Sequence, residues 1–149
     1  MAVTKAEIEI GKRLFVEGWG GKTPDAFVPF VTEDFVMRDI VGHAAPMRGH
    51  KAVMDFWGFV AGNLKVMPEE VFVSDDGMAL TWTAYIRITD DSKGPENKGK
   101  WQCGEGMSRL EFRDGKVCLE VDYWNGPQGI CDDWEKHLKG RAAMSRAER

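Results

Sequence analysis

Four segments between Val66 and Asn125 alternate apolar with polar residues and are joined, at two of three junctions, by Asp-Gly turns. Asp75-Asp76-Gly77 and Arg113-Asp114-Gly115 have the composition of tight hairpin turns. Strands over Val66–Ser74, Met78–Thr89, Lys100–Arg113 and Lys116–Asn125 are therefore expected to form an antiparallel meander. The connection Asp90–Gly99 is longer and polar, as a surface loop would be.

Ahead of the meander the apolar period changes. Ile8, Leu14, Phe15 and Trp19 recur at near-helical spacing after Thr4, whose partner three residues on is Glu7, so a helix with a capping box is expected over 4–19. Gly18, Gly20 and Gly21 end it. Thr23-Pro24-Asp25 opens a short second helix carrying Phe27, Val28 and Phe30, and a turn is expected at 32–34. A strand follows over Phe35–Val41, then a loop from Gly42 to Gly49, then a helix from His50 to about Asn63 with Val53, Met54 and Trp57 inward. Helices and strands that do not alternate argue for an α+β fold in which N-terminal helices pack on one face of a curved, mostly antiparallel sheet. All 149 residues fit one such domain, with a polar tail from about residue 140.

Composition narrows the function. A net charge of −4, with basic residues gathered only in 136–149 among acids, argues against nucleic acid as a partner. No apolar run approaches the ~20 residues of a membrane span, and no secretory leader is evident. Cys103, Cys118 and Cys131 are an odd number without metal-type spacing, so a reduced, cytoplasmic protein is expected. Six Trp and eight Phe supply more bulky apolar surface than a core of this size needs, which suggests a subunit interface or an aromatic pocket. Trp82, Ile86, Ile88 and Met107 are expected on an exposed sheet face, implying a homo-oligomer, dimer or trimer.

Alternation in the last strand places Cys118, Glu120, Asp122 and Trp124 on one face. Carboxylates in a run built for burial need a partner or a function, since desolvating one costs several kcal/mol. Two close carboxylates push their pKa values apart and leave one proton acceptor and one donor near neutrality. Asp39, among Phe35 and Met37, is a second candidate base, and His43, four residues on in a Gly-bounded loop, a third proton carrier. Phe15, Trp19, Met37, Met54, Trp57 and Trp124 are the expected apolar lining. Gln102 shares a face with Gly104, Gly106 and Ser108, where the glycines leave room for a ligand or permit a bend. His50 and His137 read as structural, and no metal or other cofactor is implied.

Thr32-Glu33-Asp34, Asp39, the turn from Pro46 to Gly49, and Asp114-Gly115-Lys116 leading to Val121-Asp122-Tyr123-Trp124 resemble the SnoaL-like branch of the nuclear transport factor 2-like superfamily. That branch includes polyketide cyclases, limonene epoxide hydrolases, ketosteroid isomerases and scytalone dehydratases, and the resemblance implies a cone-shaped α+β barrel. The stretch Met37 to Gly42 is similar to the isomerase segment holding the general base, which places that role on Asp39. The isomerase oxyanion donors fall on Phe15 and near Ser108, which do not reproduce them. Similarity to the epoxide hydrolases places the acid/base on Asp122, and their Arg and second Asp fall on Tyr85 and Arg87. In the family register Tyr85 and Arg87 turn inward as charge stabilisers.

These readings together imply a cofactorless lyase, dehydratase or isomerase acting on a small apolar, aromatic or cyclic molecule. Asp122 and Asp39 would carry protons, with His43, Tyr85 and Arg87 assisting. Water activation by Asp122 on an epoxide, and a non-catalytic ligand-binding or assembly domain, are the alternatives.

Overall fold

The computed structural model describes residues 2–126 and 128–149. The chain opens with α1 (Lys5–Arg13), capped as expected: Thr4 accepts from the Glu7 amide at 3.1 Å, and the Glu7 side chain accepts from the Thr4 amide at 2.9 Å. Beyond Arg13 the helix widens to a π-helical stretch, Leu14–Trp19, in which Leu14, Phe15, Gly18 and Trp19 are all buried. Such widenings commonly re-aim side chains at functional sites, and here Phe15 and Trp19 both reach the interior cavity described below. The expected second helix reduces to a 3-10 turn at Val28–Phe30.

Strand β1 (Val31–Asp39) starts four residues earlier than expected, so 32–34 are strand and not turn. The segment read as a loop is β2 (His43–Arg48), antiparallel to β1. The next helix, α2 (Gly49–Trp57), passes into a 3-10 turn at Gly58–Val60, shorter than the expected span. The meander is present as β3 (Leu64–Val73), β4 (Met78–Arg87), β5 (Trp101–Arg113) and β6 (Lys116–Trp124). A short β7 (Gly129–Cys131) and α3 (Trp134–Ala142) follow.

The strands form one unclosed, curved sheet in the order β2-β1-β6-β5-β4-β3, and β7 pairs with the N-terminal part of β5. All pairings are antiparallel except β1 with β6, which are parallel and set Asp39 beside Asp122 and Met37 beside Glu120. A bulge in β6 leaves Cys118 as an extra residue between the pairs Phe112–Val117 and Glu111–Leu119. Alternation is thereby reset, so Val117 is buried inward and Cys118 leaves the face of Glu120 and Asp122 to which it was assigned.

The first helix, its π extension and α2 fill the concave side. Trp19 stacks on Phe27 with centroids 5.0 Å apart and meets Trp57 edge-on at 5.2 Å, and Trp57 Nε1 donates to Pro24 O at 3.0 Å. Buried aromatic pairs of this kind add about 0.5–1.5 kcal/mol beyond the area they remove from water. On the outer face α3 lies over β4 and β5. His137 Nδ1 is 2.8 Å from Tyr85 Oη, Trp134 packs against Tyr85 and Trp101, and Arg141 joins Glu69 at 3.0 Å to Glu105 at 2.5 Å. The polar C-terminal residues are thus tied to the sheet by ion pairs.

Candidate functional site

A cavity of about 370 Å³ opens between the helices and the concave sheet face. Its walls are aromatic and aliphatic, with Trp19, Trp57, Trp82 and Trp124 prominent, and three acids enter it: Asp39, Glu120 and Asp122. Its volume lies within the range of small-molecule sites, roughly 300–1,000 Å³.

Register explains the convergence. Asp39 and Asp122 are direct neighbours across the parallel β1–β6 pair, and Glu120 lies two residues from Asp122 on the same inward face. Asp39 Oδ1 accepts three N–H donors: the amides of Val41 at 3.0 Å and Gly42 at 2.7 Å, and Trp124 Nε1 at 2.8 Å. Asp122 Oδ1 accepts from Ser108 Oγ at 2.5 Å, and that oxygen in turn accepts from Trp82 Nε1 at 2.8 Å. Glu120 is fully buried, and Trp19 Nε1 lies 3.1 Å from each of its carboxyl oxygens.

Burial raises the pKa of Glu120 well above the carboxylate range, and the neighbouring Asp122 raises it further. Burial also pushes Asp122 up, to about 6, against the hydrogen bonds from Glu120 and Ser108 that favour its charge. Glu120 therefore holds the proton of the pair and donates to the Asp122 carboxylate. At neutral pH the cavity contains an acceptor and an acid in contact.

Of the residues expected to line a pocket, Phe15, Trp19, Met37, Asp39, Trp57, Gln102, Glu120, Asp122 and Trp124 meet in this cavity. Met54 is only half buried and packs against the core away from the cavity. His43 is exposed beyond it, its Nδ1 2.7 Å from Ala45 O and its ring edge-on to Phe56.

Tyr85 and Arg87 do not point inward. Even-numbered residues of β4 face the cavity, so Trp82, Ala84 and Ile86 line it while Tyr85 is buried on the opposite side beneath α3. Burial raises the Tyr85 phenol, and Arg87 lies exposed over the Trp101 ring. The cause is amphipathic: the apolar side of β4 seeks the interior, and Tyr85 is buried by a helix the strand pattern does not reveal. The self-associating surface assigned to Trp82, Ile86, Ile88 and Met107 is corrected by the same fact. Trp82 and Ile86 are cavity wall, Ile88 is buried, and only Met107 is exposed, opposite Tyr123. Tyr85→Phe and Arg87→Ala are accordingly expected to keep turnover within about threefold of wild type. Tyr85→Phe should lose about 1 kcal/mol of stability with its hydrogen bond, read by denaturant titration.

Phe56, Phe59, Val60, Leu64, Val66 and Trp82 are lining residues that sequence reasoning did not select. The signal for Trp82 lay in Gly106, its partner across β4–β5. A Cβ at Gly106 would stand 2.6 Å from Trp82 Cζ2 and 2.7 Å from Trp124 Cβ, so this glycine makes room for the cavity wall. Among the described residues no group of three or more His, Cys, Asp or Glu is arranged to hold a metal ion. The three cysteines are free, and burial with the adjacent Cys103 raises Cys131 to about 11, which leaves little thiolate at neutral pH.

The family described as the SnoaL-like domain matches residues 13–120. The chain belongs to that family. Solved structures share its fold. A candidate SnoaL-like polyketide cyclase from Jannaschia sp. CCS1 is 18% identical, with a TM-score of 0.62 and 94% of each chain covered. TerC, co-crystallized with polyporic acid, is 15% identical with a TM-score of 0.63 over 81% of this chain and 92% of its own. A hypothetical protein with a ketosteroid isomerase-like fold from Catenulispora acidiphila DSM 44928, in complex with trimethylamine, is 15% identical with a TM-score of 0.63 over 83% of this chain and 88% of its own. No curated protein matches the sequence. No helix among the described residues of this SnoaL-like protein is long and apolar enough to cross a membrane.

Proposed function

We propose that this SnoaL-like protein is a cofactor-independent acid/base enzyme of the lyase, dehydratase or isomerase type, acting on a small aromatic or cyclic molecule held in the cavity. The observation that carries the reading is the buried Glu120–Asp122 pair, one carboxyl protonated and one ionised, inside an aromatic pocket. Asp122 abstracts a proton next to an electron-withdrawing group or from a phenol. Ser108, itself bonded to Trp82, holds the carboxylate in place. Glu120 supplies the hydrogen bond that keeps Asp122 ionised, and Asp39, one strand away, is the second proton carrier. The Gln102 amide is the neutral polar group available to a substrate oxygen. Elimination or carbon–carbon cleavage then expels the substrate's own leaving group, whereas isomerisation returns the proton to another atom of the substrate.

Epoxide hydrolysis is the less favoured alternative, because Arg87 lies outside the cavity and no arginine among the described residues lines it beside Asp122. A ligand-binding domain without turnover accounts for the aromatic walls but leaves the buried acid pair without a task. Self-association through Met107 and Tyr123 is part of the proposal, and a monomer by light scattering would remove it.

The test is a panel of phenolic, epoxide and cyclic-ketone compounds given to wild type and Asp122→Asn, with products read by mass spectrometry. Turnover by wild type that the variant loses supports the reading, and the mass change gives the reaction class. No turnover, with thermal stabilisation of both proteins by one compound, would replace it with the binding role. With an active substrate, kcat/KM should rise through about pH 6 as Asp122 ionises. It should fall again at the higher pH where Glu120 gives up its proton. A profile flat from pH 5 to 9 would exclude this pair from the rate.

A further inference from the structure

We propose that the cavity selects its ligand by charge, admitting uncharged or cationic aromatic molecules and rejecting those that bring a carboxylate or other anion into it. This rests on the acid/base reading for its consequence in turnover, and on the lining alone for binding. Asp39, Glu120 and Asp122 converge on the cavity from two adjacent strands, and among the described residues no lysine, arginine or histidine lines it. The partners of these carboxyls are neutral N–H and O–H groups: Trp19, Trp82 through Ser108, Trp124, and the amides of Val41 and Gly42.

The Asp39 and Asp122 carboxylates are therefore satisfied by dipoles, the protonated Glu120 carboxyl beside Asp122 among them, while their charge stays unbalanced. Like charges brought together in a poorly solvated site repel strongly, because low dielectric lengthens the reach of each. An anion entering would meet that field without a cation to offset it. A cation would be drawn both to the carboxylates and to the faces of the tryptophans. An adjoining groove, which shares Phe59, Val60, Ile86 and Gln102 with the cavity, carries the basic groups Arg87 and Lys93. An anionic group can be accommodated there only if it stays outside. The reaction class that supplies the substrate must accordingly leave its ring portion free of acid groups.

Three naphthalenes of one shape test this: 2-naphthylmethanol, 2-naphthylmethylammonium and 2-naphthoate, titrated at pH 7.5 into wild type and into Arg87→Ala/Lys93→Ala, which removes the outer seat. Expected in both proteins is naphthoate affinity at least tenfold below that of the alcohol, with the ammonium at or above it. Asp39→Asn and Asp122→Asn should each narrow the alcohol-to-naphthoate gap. Naphthoate binding within threefold of the alcohol in the double variant overturns the proposal.

A second measurement needs no ligand. In a Trp101→Phe/Trp134→Phe background, which removes two tryptophans outside the cavity, iodide should quench fluorescence far less than acrylamide or caesium. Asp39→Asn should raise the iodide response, and equal quenching by all three would overturn the filter. Equal turnover of neutral and anionic substrates defeats the filter while leaving the enzyme intact. Charge-ordered binding without turnover on any substrate defeats the enzyme and leaves the filter.

Discussion

Replacing Asp122 by asparagine is expected to lower turnover by roughly 10²–10⁴, the span typical of a lost general base, and to raise the melting temperature at the same time. The two effects have one origin. Folding lifts the Asp122 pKa from 3.8 to about 6, so its charged form is disfavoured in the native state by about 3 kcal/mol. A carboxyl whose pKa is raised on folding contributes stability that is fully present below the unfolded pKa. That contribution is lost as pH rises through the folded one. At pH 7.5 the wild type therefore bears the penalty and the asparagine variant does not. Asparagine keeps an oxygen for the Ser108 hydroxyl, so the variant should gain roughly 1–3 kcal/mol, or about 3–8 °C in a domain of this size. At pH 4 the gain should disappear, because wild-type Asp122 is then protonated. Calorimetry at both pH values checks this. A variant less stable than wild type at pH 7.5 would show that the carboxylate is a structural partner rather than a strained functional group.

Much of this fold was legible because its determinants are local. Thr4 and Glu7 form the capping box that their spacing announces, and the two Asp-Gly turns set the hairpins of β3 with β4 and β5 with β6. In the left-handed region Asp114 and Gly115, at φ of 54° and 74°, adopt the paired positive angles of a tight hairpin turn. Elements whose signal is weak or non-local were missed. β2 contains Pro46 between two turn-like glycines, and it is a strand only because β1 pairs with it along an edge. β7 is three residues long and has no pattern of its own.

The acids of the site were legible for a different reason: a carboxylate on a face made for burial is an anomaly that alternation exposes. Alternation fails across the Cys118 bulge, since one extra residue exchanges the two faces. For β4 the pattern itself was sound and its interpretation was not. Trp82, Ala84 and Ile86 formed the more apolar side and belong inside, whereas the likeness to epoxide hydrolases drew Tyr85 and Arg87 inward. A related scaffold carries its catalytic constellation only where the side chains reproduce it. Here the partner of Asp122 is a serine from β5, itself bonded to a tryptophan from β4.

That substitution of partners makes Gly106 a sensitive position, and Gly106→Ala is expected to damage both the fold and the site. An added Cβ would lie 2.6 Å from Tyr123 O, 2.6 Å from Trp82 Cζ2 and 2.7 Å from Trp124 Cβ. Two of these are held: the carbonyl belongs to the β6 backbone, and the Trp82 ring is fixed by its bond to Ser108. Relief requires the strands to part or both indoles to move, at a cost of about 1–3 kcal/mol by analogy with overpacked cores. Movement of Trp82 withdraws the donor that orients Ser108, and movement of Trp124 withdraws an N–H from Asp39. The variant should therefore lose at least tenfold in kcat in addition to stability. At Gly115, where φ is 74° and an added Cβ would meet nothing within 4 Å beyond its chain neighbours, the same substitution should cost stability through backbone strain and leave kcat untouched. Comparing the two variants at a temperature where both are folded separates a defect in the cavity wall from general weakening. Equal kcat for Gly106→Ala and wild type would mean that the Trp82–Ser108–Asp122 chain does not position the base.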